Sequence, residues 1–96
     1  MIKSFGSKGT KDLFHGIPSR EARRIPQTIW RVAWRKLDML NAAVQLEDLR
    51  VPPGNRLEAL KGEKKGKYSI RINDQYRIVF TFKEGNASEV EIMDYH

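Results

Sequence analysis

Two neighbouring segments of alternating residues limit what this chain can fold into more than any other feature. Residues 68–73 (YSIRIN) and 76–83 (YRIVFTFK) place Ile, Tyr and Phe at every second position, which predicts two half-buried strands of a β-hairpin. Both apolar rows must face the same side, because a one-residue slip would turn a whole strand over. An odd-length turn centred on Asp74 meets this requirement and places Arg71 directly opposite Arg77.

Strands are also predicted at the chain's beginning, before the hairpin and after it. These three segments are short and alternate in part, and turn residues bound them. They are Met1–Phe5, Arg56–Lys61 and, beyond a turn at Glu84–Asn86, Ala87–Tyr95.

Two helices are predicted between the first strand and the others. Ser7 can cap a short helix that reaches about His15 and ends at Gly16. Pro26 suits the first turn of a second helix that reaches about Ala43. Three- and four-residue spacing gives this helix an apolar stripe: Trp30, Ala33, Leu37, Leu40 and Val44.

This order of elements predicts an α+β fold, with a small antiparallel β-sheet and two N-terminal helices packed on one face. A chain of 96 residues forms one domain, residues 1–96. Trp30 and Trp34 are interpreted as core or stripe-edge residues rather than as platforms that stack nucleic-acid bases.

The opposed arginines of the hairpin need an explanation. Like charges directly opposite each other across two strands, with Cβ atoms about 5 Å apart, are destabilising. In one interpretation the guanidinium groups of Arg71 and Arg77 splay into water or reach Glu89 or Glu91. In the other they hold an anion between them, because arginine forks match phosphate geometry.

Further basic and proton-transfer residues adjoin this pair. Lys61 ends the strand before YSIRIN, the loop GEKKGK adds three more lysines, and the chain closes on DYH. Alternation places Tyr95 on the arginine face, while Asp94 and His96 point the other way unless the end twists. Histidine is the commonest proton-transfer residue, so phosphate binding with proton transfer is one interpretation; a solvated loop and a frayed tail are the other. The lysines are Lys61, Lys64, Lys65 and Lys67.

Charge is unevenly distributed along the chain, whose formal net charge is +6. Residues 1–36 carry a net +7 and residues 56–77 a net +4. Such basic blocks favour a polyanion or an acidic protein as partner, although solubility explains them equally well. The lack of cysteine excludes a disulfide framework, and no apolar run reaches the roughly 20 residues that span a bilayer. We expect a soluble, cytoplasmic protein without membrane segment, metal or cofactor.

Three stretches together resemble the HigB toxins, plasmid-maintenance killer proteins within the RelE/ParE toxin superfamily: MIKSF, GNRLEALKGEKKGKYSIRINDQYRIVF and VEIMDYH. The resemblance covers nearly the whole chain and is loosest over residues 6–25. It implies a RelE-like fold and an mRNA endonuclease that works on the translating ribosome without a metal. It also implies a neighbouring HigA antitoxin with a helix-turn-helix, which we expect to cover basic surface of residues 1–36 or to block the approach to the ribosome.

The resemblance also implies roles for the motif residues. The strand arginines and the RLxxLKG lysine, Lys61, would stabilise charge on the phosphate, and the other loop lysines would bind RNA. In the closing triplet, His96 would be the general acid, Tyr95 would position or stack a base, and Asp94 would orient the terminus.

Glu58 departs from the family pattern, because some members carry a histidine there. It could serve as the general base, with a ribosomal group as the alternative, or it could be a surface glutamate paired with Arg56 or Lys61. Two other functions stay open from the sequence: a ParE-like inhibitor of DNA gyrase, and a nucleic-acid-binding module without catalysis.

Overall fold

A computed structural model describes residues 1–95 and contains one four-stranded antiparallel sheet in the order β1–β2–β3–β4. This is the predicted small antiparallel sheet, with strands that follow one another in chain order. Its first strand is much shorter than the predicted Arg56–Lys61, because Arg56 takes a left-handed conformation (φ 46°) and a 3-10 turn follows Lys61. The strands are β1 (Glu58–Ala59), β2 (Tyr68–Arg71), β3 (Tyr76–Lys83) and β4 (Asn86–Asp94).

The hairpin has the predicted register. Ile70 lies opposite Ile78, and Arg71 lies opposite Arg77. The turn is closed by the side chain of Asn73, whose Oδ1 accepts hydrogen bonds from the backbone N–H groups of residues 75 and 76 at 2.9 and 2.8 Å. A short polar side chain that satisfies two turn donors holds the register locally.

The helices agree with the prediction except for one extra turn. The first, α1 (Lys8–Phe14), is capped by Ser7 and ends before Gly16 at φ 73°. A single turn, α2 (Arg20–Arg23), follows; it is too short for a periodic pattern to reveal. The long helix, α3 (Trp30–Ala42), follows a 3-10 turn that begins directly after Pro26. Among residues 1–95, the helices are too short and too polar to cross a bilayer.

The core lies between one face of the sheet and the helices. Ala33, Leu37 and Leu40 of α3 are buried there, together with sheet residues that include Ile78 and Phe80. Burying side chains of this size provides most of the stabilisation of such a domain.

Two positions of the predicted stripe and its edge are not in the core. Val44 is 71% exposed, because α3 ends at Ala42 and the chain turns away in an extended conformation at Ala43. Trp34 is 48% exposed, so of the two predicted positions, core or stripe edge, it occupies the stripe edge. It lies one turn beyond Trp30, at an edge of α3 that the sheet does not cover; Trp30 itself is half-buried.

The N-terminal segment does not form the predicted regular strand. It runs parallel to β4 and makes two isolated bridges, Ile2 with Ala87 and Phe5 with Val90. The gap between the two bridges coincides with a β-bulge in β4. There Glu89 and Val90 together face one residue of β3, and Glu89 has φ 52°. A bulge twists a strand and disrupts its ladder, so only separate bridges form along this edge.

A carboxylate in α1 predicts how stability depends on pH. Asp12 Oδ2 accepts hydrogen bonds from Lys8 Nζ at 2.5 Å and from Ser19 Oγ at 2.6 Å, and these bonds hold the pKa of Asp12 below its usual 3.8. A lowered pKa contributes stability that is present above the unfolded value and is lost as the pH falls through the folded value. We therefore expect the unfolding temperature to fall more steeply on acidification in the wild type than in Asp12→Asn, measured from about pH 6 to pH 2. Equal slopes would contradict this.

Candidate active site

Arg77 occupies the centre of the polar face of the sheet, which is the face opposite the helices. Its side chain is only 14% exposed. Nη2 lies 3.3 Å from Glu58 Oε1, and Nη1 donates to Ser69 Oγ at 3.0 Å. Ser69 is completely buried beneath it. Bonds to two separate groups fix the orientation of the planar guanidinium, and this preorganisation is what charge stabilisation requires.

Tyr95 stacks beside this arginine. The Cζ atom of Arg77 lies 5.3 Å from the centre of the Tyr95 ring, within the range of a cation–π contact. The backbone N–H of Tyr95 donates to Gln75 O at 2.5 Å, which extends the pairing of the last strand beyond Asp94. The prediction that Tyr95 lies on the arginine face is therefore confirmed. The phenol is 38% exposed and accessible to a ligand.

Each of the opposed arginines has its own carboxylate. Arg71 forms an ion pair with Asp74 in the hairpin turn, and Arg77 forms one with Glu58. These partners differ from Glu89 and Glu91, which the sequence suggested. Two local ion pairs offset the repulsion between the guanidinium groups. Because Asp74 is 96% exposed, an incoming phosphate can displace it at little energetic cost.

Glu58 faces the site rather than its sequence neighbours. It lies opposite Ser69 in the short pairing of β1 with β2, so its carboxylate reaches Arg77 instead of Arg56 or Lys61. The side chain is 52% exposed. A carboxylate that is both accessible and next to a guanidinium can take part in proton transfer at a phosphate bound there.

The predicted lysines lie along the loop between β1 and β2. Lys67 directly precedes β2, and its Nζ is 4.0 Å from Glu89 Oε1. Lys61 and Lys65 are exposed, and Lys64 is half-buried in the 3-10 turn. The loop adds positive charge beside the arginine face, and in the described part of the chain no contact ties Lys61 or Lys65 to a carboxylate.

The two described residues of the closing triplet, Asp94 and Tyr95, lie on opposite faces of the sheet. Asp94 lies opposite Tyr76, on the other face from Arg77, and its Oδ2 accepts a hydrogen bond from Gln75 Nε2 at 3.1 Å. This agrees with the predicted alternation. His96 lies outside the described residues, so its assignment as general acid stays a prediction. Among residues 1–95, no three His, Asp or Glu side chains gather to form a metal site.

Two contributors to the site were missed from the sequence. Ser69 supports Arg77 from below, and Gln75 joins the hairpin turn to both Asp94 and Tyr95. Ser69 carries a weak signal, because it stands beside Arg71 on the polar face of a strand. The role of Gln75 depends on the last strand, β4, running back beside the hairpin turn. No local pattern in the sequence indicates this.

The chain is similar to a well-defined group of proteins. A family model described as RelE-like toxin of the type II toxin–antitoxin system HigB matches residues 3–96. Toxin HigB-1 of Vibrio cholerae is 51% identical over 65 residues, which cover 68% of each chain. Endoribonuclease HigB of Proteus vulgaris is 33% identical over 101 residues, which cover 100% of each chain.

Solved structures of other proteins share the fold. The YoeB–YefM complex of Staphylococcus aureus contains a chain that matches with a TM-score of 0.61 at 17% identity, covering 100% of this chain and 98% of that one. YafQ from E. coli matches with a TM-score of 0.58 at 12% identity, covering 98% of this chain and 91% of that one. At this identity the likeness concerns the fold, and it confirms the predicted α+β class.

Proposed function

Because this chain belongs to the RelE-like HigB toxins of type II toxin–antitoxin systems, we propose that it is an endoribonuclease that cuts messenger RNA on the translating ribosome and so stops growth. The observation that carries the proposal is the fixed guanidinium of Arg77, held by Glu58 and Ser69 and stacked on Tyr95. The name of the relative from Proteus vulgaris, which matches over the full length of both chains, supports the same activity.

In the proposed reaction, RNA supplies its own nucleophile. A base removes the proton of a 2′-OH, and that oxygen forms a bond to the adjacent phosphorus. The bond from phosphorus to the 5′ oxygen breaks, and an acid protonates the leaving oxygen. The products are a 2′,3′-cyclic phosphate and a free 5′-OH. The step is redox-neutral and needs one proton acceptor and one proton donor.

The proposed roles follow from the positions of the side chains. Arg77 and Arg71 bind the phosphate and stabilise the charge that grows on it, with Lys61 beside them. Phosphate competes with Glu58 for Arg77, which frees the carboxylate to serve as the base. Tyr95 stacks on an RNA base. His96 is the proposed acid, an assignment that rests on the sequence.

Mapping the 5′ ends of cellular mRNA after brief induction tests this function. We expect new 5′ ends within translated regions, and none after induction of the Arg71→Ala/Arg77→Ala variant. Intact messages with stalled DNA gyrase would indicate a ParE-like inhibitor instead. Growth arrest with intact messages and gyrase unaffected would leave only a binding module.

The proposed partners are a HigA-type antitoxin with a helix-turn-helix, the ribosome and mRNA. The family is defined by a toxin–antitoxin system, so a cognate antitoxin is expected on that ground. The structures of YoeB with YefM show that a toxin of this fold is found in such complexes. Translating ribosomes place the proposed site of action in the cytoplasm.

Binding to ribosomes should weaken steeply as salt rises. The basic block of residues 56–77 and the larger block of residues 1–36 would release counterions from RNA phosphates, so affinity falls as a power of the salt concentration. With about six phosphate contacts, we expect a loss of about 10³-fold between 50 and 200 mM salt. Sedimentation with purified ribosomes measures this. A ribosome affinity that does not change with salt concentration would contradict the electrostatic argument.

A further inference from the structure

An apolar groove lies between the end of α1 and the first turns of α3. Its volume is about 350 Å³. Ile17 is 50% exposed and Trp34 is 48% exposed, and both present apolar surface to solvent. The indole N–H of Trp30 already donates to Ile25 O at 2.7 Å, so the ring requires no further polar partner. The lining residues are Leu13, Gly16, Ile17, Trp30, Arg31 and Trp34.

This groove is separate from the proposed active site. The helices that form it pack on the apolar face of the sheet, whereas Arg77 and Tyr95 lie on the polar face. None of its lining residues contributes to the site around Arg77. Exposed apolar surface rimmed by charge on a small protein marks an interaction site more often than it marks chance.

Positive charge lies in the groove at Arg31 and, along the chain, on the helical segments that adjoin it. Five exposed arginines lie on α3 and on α2 with its end, a few residues after Ile17, and within residues 1–95 none of them forms an ion pair with a carboxylate. Of the two acidic residues nearby in the chain, Glu21 forms an ion pair with Lys8, and Asp38 lies one turn beyond Trp34. A partner that covers the groove must therefore bring negative charge. The arginines are Arg20, Arg23, Arg24, Arg31 and Arg35.

Two parallel rows on α3 define the shape of that partner. Trp30 and Trp34 are four residues apart and form an apolar row, while Arg31 and Arg35 form a basic row next to it. An amphipathic helix with apolar residues at this spacing and acidic residues on one flank complements both rows.

We propose that this groove is the docking site for an acidic amphipathic helix of the cognate antitoxin. Apolar side chains of that helix pack on Trp34 and Ile17, and its carboxylates pair with Arg31 and Arg35. Trp and Arg are the residues most enriched at the energetic centres of protein interfaces. The inference deepens the proposed function, because it takes the partner to be the antitoxin of a type II system.

The test measures the Kd between the purified full-length toxin and the antitoxin encoded beside its gene. Trp34→Ala should weaken binding by about 30-fold or more, as expected for a central interface residue. Arg31→Glu/Arg35→Glu should weaken it by a similar factor and should reduce its salt dependence. Val44→Ala is the matched control, since Val44 is an exposed apolar residue just beyond the end of α3 and outside the groove. Its Kd should equal that of the wild type.

Several outcomes would overturn the proposal. An unchanged Kd in both groove variants would do so. Loss of ribosome binding by Trp34→Ala with an unchanged antitoxin Kd would show that the groove serves RNA. If the wild type self-associates in a concentration-dependent way and Trp34→Ala does not, with an unchanged antitoxin Kd, the groove would be assigned to a second copy of the chain.

If Trp34→Ala does not fold, Ile17→Ser tests the same surface. If the groove variants weaken the Kd for the antitoxin but the wild-type protein cuts no mRNA, the groove proposal stands and the proposed nuclease activity is rejected.

Discussion

Replacing Arg77 with alanine is expected to lower the rate of mRNA cleavage by about 10²–10³-fold, the usual loss when one preorganised charge-stabilising donor is removed. The guanidinium is fixed by Glu58 and Ser69 and is stacked on Tyr95. Its removal takes away the group that receives the phosphate, and it also releases the carboxylate from its position. Single-turnover cleavage of ribosome-bound mRNA measures the effect.

The variant should remain folded, because the core lies on the other face of the sheet. Loss of the bond to the buried Ser69 hydroxyl should lower the free energy of unfolding by only about 1 kcal/mol. Lys83→Ala, an exposed basic residue at the far end of the same strand, is the matched control and should cut normally. Arg77→Lys retains the charge but loses the planar fork, so we expect intermediate activity. Wild-type toxicity in a soluble Arg71→Ala/Arg77→Ala variant would reject the phosphate-binding role.

Replacing His96 with glutamine is expected to lower cleavage by roughly 10²–10⁴-fold, the range for loss of one proton-transfer group. Glutamine retains a polar side chain of similar reach but has no proton to donate near neutral pH. Ribosome binding and the unfolding temperature should stay close to those of the wild type, because the substitution leaves the core of residues 1–95 and the basic blocks unchanged. Deletion of His96 should have the same effect on cleavage.

The two His96 variants also separate the proposed acid from an uninvolved chain end. Exposed termini usually tolerate change. Cutting at wild-type rates by either variant would show that the DYH ending does not supply the acid. A fall in ribosome affinity with unchanged chemistry at saturating ribosomes would instead assign His96 to binding.

The sequence predicted the hairpin well because its information is local. Alternation with period two and the length of the turn are sufficient to place Arg71 opposite Arg77 and to put Tyr95 on the same face. The family and the α+β fold followed from motifs that span nearly the whole chain, and the family match over residues 3–96 confirms them. The single domain and the roles of the site residues stay predictions.

The sequence also predicted where the helices lie, but it did not predict which of their side chains the sheet covers. Ser7 and Gly16 bound α1 as predicted, because capping depends on adjacent residues. Whether Trp34 lies in the core or at the stripe edge stayed open, because periodicity locates the apolar side of a helix without showing how far the sheet covers it. The first predicted strand failed for a similar reason: a bulge in β4, far along the chain, prevents regular pairing with Met1–Phe5.

The sequence by itself determined which residues share the polar face, since side chains alternate along every strand whatever else surrounds them. Only the tertiary structure decided what they touch there. Glu58 reaches Arg77 because a two-residue strand lies along β2, and Asp74 takes Arg71 because the turn curls back toward it. The distance between Glu58 and Arg77, which are 19 residues apart in the chain, decides the first ion pair, and the conformation of the turn decides the second, between residues three apart. A local pattern contains no such distance, so the partners of the two arginines became known only from the folded chain.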